Sequence, residues 1–338
     1  MLSLLPQNKV AVLERCPICD KSAFSTSGAS VNIIDTLRRW EGVVGRPFPK
    51  EVWNAYSQHE YKPLTLKECV ECGFGRFEPV VSGNAGFYEF ISAVDYYNEE
   101  KWEFGAALSQ LQIAGANRIL DVGCGSGIFL DYLRRQMPDA QLFGYDLNAE
   151  LLASLPARGL SVLSGDLNQI KAKTQSGEVP PFDAICMLQV LEHANDPIDM
   201  LQTFLGLLRP GGLLIVTTPD AGGPIKNFPD ALTELPPHHV TRWTEATFEA
   251  LFKRLKLKMS SIQHEPLPDY LWDAYLPVMW DEPIWPTQIF DPLARRLGMI
   301  TVGERSGFAA KEMKEAGIRR LYGVPSHTIF VAATSVCG

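Results

Sequence analysis

Four cysteines stand in two C-x-x-C pairs, CPIC at Cys16 and Cys19 and CVEC at Cys69 and Cys72. Thiolates at this spacing turn toward one point. Two such pairs supply the tetrahedral four-sulfur set that zinc takes in structural sites. Pro17 and Gly73 suit the tight turns each pair requires. Residues 20–68 separate the pairs, more than the ~15–20 residues of an ordinary zinc ribbon. That stretch has room for helices, since IIDTLRRWEGVVG and PKEVWNAYSQ carry apolar residues at helical spacing. Chance pairs or a redox dithiol are the competing readings. Two knuckles in one region weigh against both, and the expected metal is a structural Zn²⁺ held by Cys16, Cys19, Cys69 and Cys72. Cys124, Cys186 and Cys337 read as packing residues.

A second set of residues points to a nucleoside-bearing ligand. The run ILDVGCGSG (119–127) ends a strand and places Gly123, Gly125 and Gly127 in the turn that follows. Glycines there let a ligand approach the backbone closely. A dinucleotide fingerprint would need Gly or Ala at 128, and that position is Ile128. The motif is instead D-x-G-x-G-x-G, with Asp121 in the strand end. An acid there repels phosphate and suits an ammonium group. GYD places Asp146, followed by Leu147, about 20 residues past the glycine loop, where an acid accepts hydrogen bonds from ribose hydroxyls. SGDL places Asp166 and Leu167 where an amino-bearing base meets a carboxylate and an apolar wall. Each acid also has a plain structural reading, as a loop cap, a turn residue or an Asx turn. Their order along the chain is what reinforces the ligand reading.

Proton transfer would fall to histidine, whose pKa suits a general base near neutrality. His193 follows the fourth strand in VLEHA, beside Glu192. His238 and His239 follow the fifth strand, after Pro236 and Pro237. Both stretches leave carboxyl ends of strands, where open α/β sheets bind ligands. One of the paired histidines is expected to face a substrate as base while the other fixes the loop. His193 is a further base candidate or a holder of its own loop. A histidine pair also suits a metal, but no third ligand is in reach along the sequence. Asp220 and Glu234 are partners by proximity alone. His59, His264 and His327 read as peripheral.

Taken together, ILDVGCGSG, GYD, SGDL and VLEHANDP followed by LLRPGGLLIVTTPD resemble the class I S-adenosylmethionine-dependent methyltransferases, in the branch with the ubiquinone-type O-methyltransferases. PPHHVTRW and the cysteine knuckles resemble bacterial members with an N-terminal zinc module, some of which methylate sugars or polyketide-like metabolites. The resemblance covers roughly residues 117–265 and the last strand. It implies that Asp121 and the loop backbone hold the methionine end, Asp146 the ribose, and Asp166 with Leu167 the adenine. It places Gln189 on the methyl-transfer face and Tyr97 over the methionine moiety.

These residues must be positioned by strands and helices in alternation. NRILDV, QLFGYD, LSVLSGD, FDAICML, LLIVTT, LKMSSIQHE and HTIFVAATSV read as strands, with amphipathic helices between the earlier ones. That order implies a doubly wound, mostly parallel seven-stranded α/β sheet. The expected organisation is a zinc-ribbon-like module over 1–80 and a linker with a helix over 81–116. A methyltransferase domain then spans 117–266, an aromatic insert 267–325 and the last strand 326–338. The insert is rich in rings: Tyr270, Trp272, Tyr275, Trp280, Trp285 and Phe290. Such rings stack on flat or sugar-like substrates, or build a dry inter-domain or homodimer contact. Trp243 is expected to anchor the next helix, with Thr244 as its N-cap.

Composition sets the outer limits. The chain has 338 residues, 46% of them apolar and 21% charged, which fits a folded protein of about two domains. The formal net charge of −8 argues against a broad nucleic-acid-binding face. No apolar run reaches membrane-spanning length, and Pro6 interrupts the opening apolar stretch, so a cytoplasmic protein is expected. The expected activity is O- or C-methylation of a small molecule or sugar-like metabolite. Two alternatives compete: a zinc-ribbon scaffold with a non-catalytic methyltransferase-like domain, and a nicotinamide oxidoreductase, which Ile128 disfavours.

Overall fold

A computed structural model describes residues 15–92 and 101–335. Tyr97 and Cys337 lie outside the described residues. The first strand, β1 (Phe24–Val31), leads into α1 (Ile33–Val44) and α2 (Lys50–Tyr56). Asn32 starts α1 by accepting from the Ile34 and Asp35 N–H groups, and Gly45 ends it in the left-handed region. Its apolar stripe Ile33, Ile34, Leu37 and Trp40 packs with Phe48, Val52 and Phe87. The hairpin β2 (Leu64–Cys69) and β3 (Gly75–Glu78) follows, then α3 (Ala85–Ile91) and α4 (Trp102–Ile113).

From Arg118 the expected alternation sets in. It runs β4 (Arg118–Val122), α5 (Ile128–Gln136), β5 (Gln141–Tyr145), α6 (Ala149–Leu152), β6 (Ser161–Val162), α7 (Leu167–Ser176), β7 (Phe182–Leu188), α8 (Pro197–Leu205) and β8 (Leu208–Pro219). After β9 (Thr241–Arg242) come α9 (Glu245–Leu255) and β10 (Leu257–Pro268). The insert helices α10 (Trp272–Val278), α11 (Trp285–Arg296) and α12 (Val302–Glu315) precede β11 (Arg320–Ser335).

Seven strands form one sheet in the order β10-β11-β8-β7-β4-β5-β6. The five from β8 to β6 pair in parallel, and β11 runs antiparallel between β8 and β10. The sheet is the doubly wound, mostly parallel one that the alternation predicts. FDAICML is apolar almost throughout because β7 is covered on both faces. Going outward from β4, the chain fills one side with β5 and β6 and the other with β7 and β8. The crevice at the carboxyl ends of β4 and β7 is therefore the switch point where open sheets bind ligands.

Three features depart from the sequence pattern. First, β11 begins at Arg320, ahead of residue 326, and β10 runs to Pro268. The pair continues past the sheet, with Leu267 opposite Leu321 and Pro268 opposite Arg320. This arm carries the insert, whose Trp272, Tyr275 and Trp280 are buried in a cluster with Leu276, Met313 and Leu321. Second, the two-residue strand β9 pairs with β3, completing a four-stranded antiparallel sheet β1-β2-β3-β9. Third, Cys16, Ile18, Cys69, Cys72 and Phe74 share one buried cluster with Trp243, Phe248, Leu251 and Phe252. Trp243 is fully buried against Phe74 and Phe248, and Thr244 caps α9 in a capping box.

Candidate active site

Two cavities meet at the carboxyl edge of the sheet, one of about 740 Å³ and one of about 900 Å³. Lys101, Glu103 and Gln189 line both.

The smaller cavity is built on the glycine loop. Gly123 and Gly127 have φ of +74° and +83°. A Cβ would sit 2.6 Å from Val190 at the first and 2.5 Å from Leu155 at the second, so only glycine fits. The Gly125 N–H donates to Asp146 at 2.9 Å, and the Asn148 N–H donates to the other Asp146 oxygen at 2.8 Å. Asp146 thus holds the loop closed while lining the cavity beside Leu147 and Leu167. Asp121 lines it from beneath and is almost fully buried. Burial, with the Asp146 charge adding to it, pushes Asp121 well above the usual carboxylate range. Among the described residues no cation pairs with it. A buried acid without a counter-ion, facing a cavity, fits a ligand carrying an ammonium group. Gln189 adopts φ +57°, a left-handed backbone unusual for a side chain with a Cβ, and its N–H donates to the Thr217 carbonyl at 3.0 Å. Such conformations gather at functional sites.

The other predicted donor-site residues part company here. Gly127 starts α5 behind the cavity wall, which it does not line. Asp166 is exposed and lines neither cavity. It caps α7, accepting from the Gln169 N–H at 2.9 Å while Gln169 reaches back to its own N–H.

The histidines converge between the cavities. His193 and His238 line the smaller one and His239 the larger. Nδ1 of His193 donates to the His238 carbonyl at 2.7 Å, and Nδ1 of His238 donates to the Thr233 carbonyl at 2.6 Å. The Tyr88 hydroxyl lies 3.1 Å from His193 Nδ1 and donates to the His238 carbonyl at 3.3 Å. His239 Nδ1 instead stands 3.1 Å from Glu234 Oε1, and Arg242 grips the other Glu234 oxygen. Burial lowers His193 to about 3 and His238 well below its usual value, with the neighbouring imidazoles adding to both. Burial alone would raise Glu234, but His239 and Arg242 outweigh it and hold the carboxylate down to about 2. Glu192 is buried beside His193, its carboxylate 3.9 Å from Nε2, and burial raises it well above its usual range.

The third imidazole that the sequence could not supply is therefore present, since ring nitrogens of His193, His238 and His239 lie within 4.8 Å of one another. The arrangement does not suit a metal. His238 and His239 stack with centroids 4.3 Å apart and planes 18° apart. Their lone pairs lie in those planes and run side by side, whereas ligation needs them to converge.

The larger cavity holds residues that no local motif announces. Glu103 and Glu265 are buried in its wall, with Glu265 2.8 Å from Arg320. His327, read from the sequence as peripheral, lines it as well. Tyr270 and Tyr275 of the insert face it, with Tyr275 stacked on Phe228. Asp220 turns to His264 at 3.0 Å, so Glu234 alone of the two proposed acids serves the histidine pair. His59 sits in the first antiparallel unit, away from both cavities.

The four cysteines meet on the far side of β3 and β9. Their sulfurs all lie within 4.8 Å of one another, with Cys16 to Cys72 at 3.7 Å and Cys19 to Cys69 at 3.5 Å. A tetrahedral zinc with sulfurs at about 2.3 Å needs sulfur–sulfur edges of about 3.8 Å. The two knuckles are built alike. Cys16 and Cys69 carbonyls accept from Asp20 and Gly73 N–H groups, and both of those residues have positive φ. The donor set and its spacing fit zinc.

Residues 72–262 match the methyltransferase domain family, more than half of the chain. The ubiquinone biosynthesis O-methyltransferase of Xylella fastidiosa (strain M23) is 38% identical over 111 residues, covering 32% of this chain and 44% of the relative. That of Xanthomonas oryzae pv. oryzae (strain PXO99A) is 34% identical over 116 residues, covering 32% and 46%. The matched stretch spans less than half the length of these curated relatives. Among solved structures, a SAM-dependent methyltransferase from Archaeoglobus fulgidus aligns over 69% of this chain and 94% of its own, at 14% identity and a TM-score of 0.43. The plantazolicin methyltransferase BpumL with SAH aligns over 69% and 82%, at 15% identity and 0.41. By its family match and its sheet, the chain belongs to the methyltransferase domain family, in the class I S-adenosylmethionine-dependent group.

Proposed function

We propose that the protein transfers a methyl group from S-adenosylmethionine to a small-molecule acceptor, with the smaller cavity holding the donor and the larger one the acceptor. The observation that carries this reading is that the two cavities share the wall at Lys101, Glu103 and Gln189. In-line transfer needs donor and acceptor on either side of one narrow passage. The donor supplies an electrophilic methyl on a sulfonium.

The chain's own residues do the rest. Asp121 pairs with the donor's ammonium, Lys101 offers a cation to its carboxylate, and Asp146 accepts from the ribose hydroxyls with the lone pairs its loop bonds leave open. His239 takes the acceptor proton on Nε2, and the Glu234 carboxylate at Nδ1 stabilises the imidazolium that forms. His238 and His193, held neutral, position the loop. The stacked rings of Phe228 and Tyr275, in one cavity wall with Glu103 and the Glu265–Arg320 pair, suit a flat or sugar-like acceptor, O- or C-methylated. The four cysteines hold one structural zinc.

Calorimetry with S-adenosylhomocysteine tests the donor site, and labelled methyl transfer into a small-molecule cell extract tests the activity. Saturable one-to-one binding with label entering a low-mass product is expected. Binding without transfer would leave the scaffold reading standing, and no binding would overturn the assignment of the smaller cavity. One zinc per chain is expected on metal analysis, and a metal-free preparation made without chelator would remove the zinc assignment.

A further inference from the structure

We infer that the cysteine centre is a positioning device for the histidine loop, so that its metal sets the order of His239 on the acceptor side, while the glycine loop and Asp146 of the donor side keep hydrogen bonds of their own. The inference rests on the zinc reading above and carries it to a different part of the molecule.

A short ladder of backbone bonds joins the two. Cys72 closes the second knuckle, and β3 begins three residues later at Gly75. Gly75 and Arg76 pair with Arg242 and Thr241 of β9. The Phe77 N–H donates to the Val240 carbonyl at 3.0 Å, and the Val240 N–H donates to the Glu192 carbonyl at 2.8 Å. Val240 directly follows His239, and Glu192 directly precedes His193. The other flank of the pair is tied too, since the Gly83 N–H donates to the Pro237 carbonyl at 2.6 Å. From behind, the Cys72 carbonyl accepts from the Thr247 and Thr244 hydroxyls at 2.8 Å and 3.4 Å, and Arg254 donates to the Pro17 carbonyl. The knuckles are therefore clamped to α9 on one side and to the histidine loop on the other.

A two-residue strand has almost no stability of its own, so β9 depends on its pairing with β3 together with the bonds of Thr241 to Leu191 and of the adjoining Trp243 to Ala221. β3 in turn begins at the second knuckle, whose two thiols pack sulfur against sulfur on those of the first, Cys72 on Cys16 and Cys69 on Cys19. With a metal they share one cation. Without it, nothing bonds the four sulfurs to a common point, and the knuckle that anchors β3 loosens. The donor site has its own hydrogen-bonded support, while Val122, Tyr145 and Val190 share the buried cluster of Cys16 and Cys72. Among the described residues no hydrogen bond joins residues 15–77 to the glycine loop or to Asp146, which are fixed by β4, β5 and α5.

The test uses the full chain in three forms: wild type, Cys72→Ser and Cys72→His. Three quantities are read on each: zinc content, S-adenosylhomocysteine affinity by calorimetry, and the imidazole ¹⁵N resonances of His193, His238 and His239. Cys72→Ser should lose zinc, keep donor affinity within about threefold, and show shifted or broadened His193 and His239 rings. Cys72→His keeps a Cys₃His donor set of the kind zinc accepts. It should retain the metal and return the wild-type ring signals, a rescue that a purely steric role for Cys72 would not give. If Cys72→Ser does not fold, chelator titration of wild-type protein gives the same comparison. Zinc-free protein with unmoved ring signals would overturn the inference while leaving the zinc assignment intact. Donor affinity lost in step with the metal would also overturn it, since the centre would then hold the whole fold. Wild type lacking zinc would fail the underlying reading instead.

Discussion

At the scale of single residues, the acids of the donor site separate by what their oxygens already touch. Asp146 binds two loop N–H groups and faces the cavity, whereas Asp166 is committed to its helix start. Asp146→Ala should therefore weaken S-adenosylhomocysteine binding by roughly 10–100-fold, the equivalent of about 1.5–3 kcal/mol for hydrogen bonds to a charged group. Asp166→Ala should cost about 0.5–2 kcal/mol of stability as a lost cap and leave donor affinity within about twofold. Calorimetry and denaturant melts on the pair decide it, and equal affinity losses would restore Asp166 to the site. His239→Ala should lower turnover by about 10²–10⁴-fold at unchanged donor affinity. A drop that merely follows melting temperature would mark His239 as an anchor. His193 gives a pH signature. Its folded value of about 3 lies below an unfolded value near 6.5, so the unfolded chain binds the proton first as pH falls between those limits. Wild-type stability should thus decline from about pH 6.5 downward, and His193→Asn should show a shallower decline over the same range. Parallel pH profiles of melting temperature would contradict this. Of these residues, the sequence showed those in compact motifs, such as Asp121, Asp146 and the histidine pair. Lys101, Glu103, Glu265 and Arg320 were illegible. They come from one helix start and two late strands, and the sheet alone brings them to one wall.

At the scale of elements, the strands with long apolar runs were legible and the ones that matter for the histidine loop were not. β7 and β8 announce themselves by burial on both faces. β9 is two residues long and carries no periodicity, so nothing in the sequence told of its pairing with β3. Between β5 and β6, where the alternation calls for an amphipathic helix, there is a single turn, α6, followed by a 3₁₀ turn at Pro156. Pro156 lacks the N–H that a longer helix would need. The strand-to-helix turn of β4 and α5 tolerates little change. Gly127→Ala would force a left-handed backbone on a residue with a Cβ and drive that atom into Leu155. A loss of about 2 kcal/mol or more is expected, from strain and overpacking together. It should appear in denaturant melts of the unliganded chain. A loss below about 0.5 kcal/mol would show that the loop relaxes freely.

At the scale of the whole molecule, the cysteine-bearing residues and the sheet share a core. Phe74 lies against Trp243, and Ile18 and Cys16 join the cluster of Phe248 and Phe252. Two reading frames in the sequence, a knuckle pattern and an α/β alternation, suggested two bodies because each has its own periodicity. Buried surface, which no pattern displays, joins them. A chain starting at residue 81 should accordingly lose the cooperative melt of the full protein and bind a hydrophobic dye at rest. Wild-type cooperativity in that fragment would show that the sheet needs no cover from the knuckles. The shared core also sets an order of events during synthesis. Cys72 leaves the ribosome long before Thr247 and Arg254, whose side chains bond the knuckle backbone. At about 5–20 residues per second the gap lasts roughly 10–35 s. For that interval the four thiols are made but uncovered, so the nascent chain can capture the proposed metal ion, or lose its sulfurs to oxidation, before the fold closes over them.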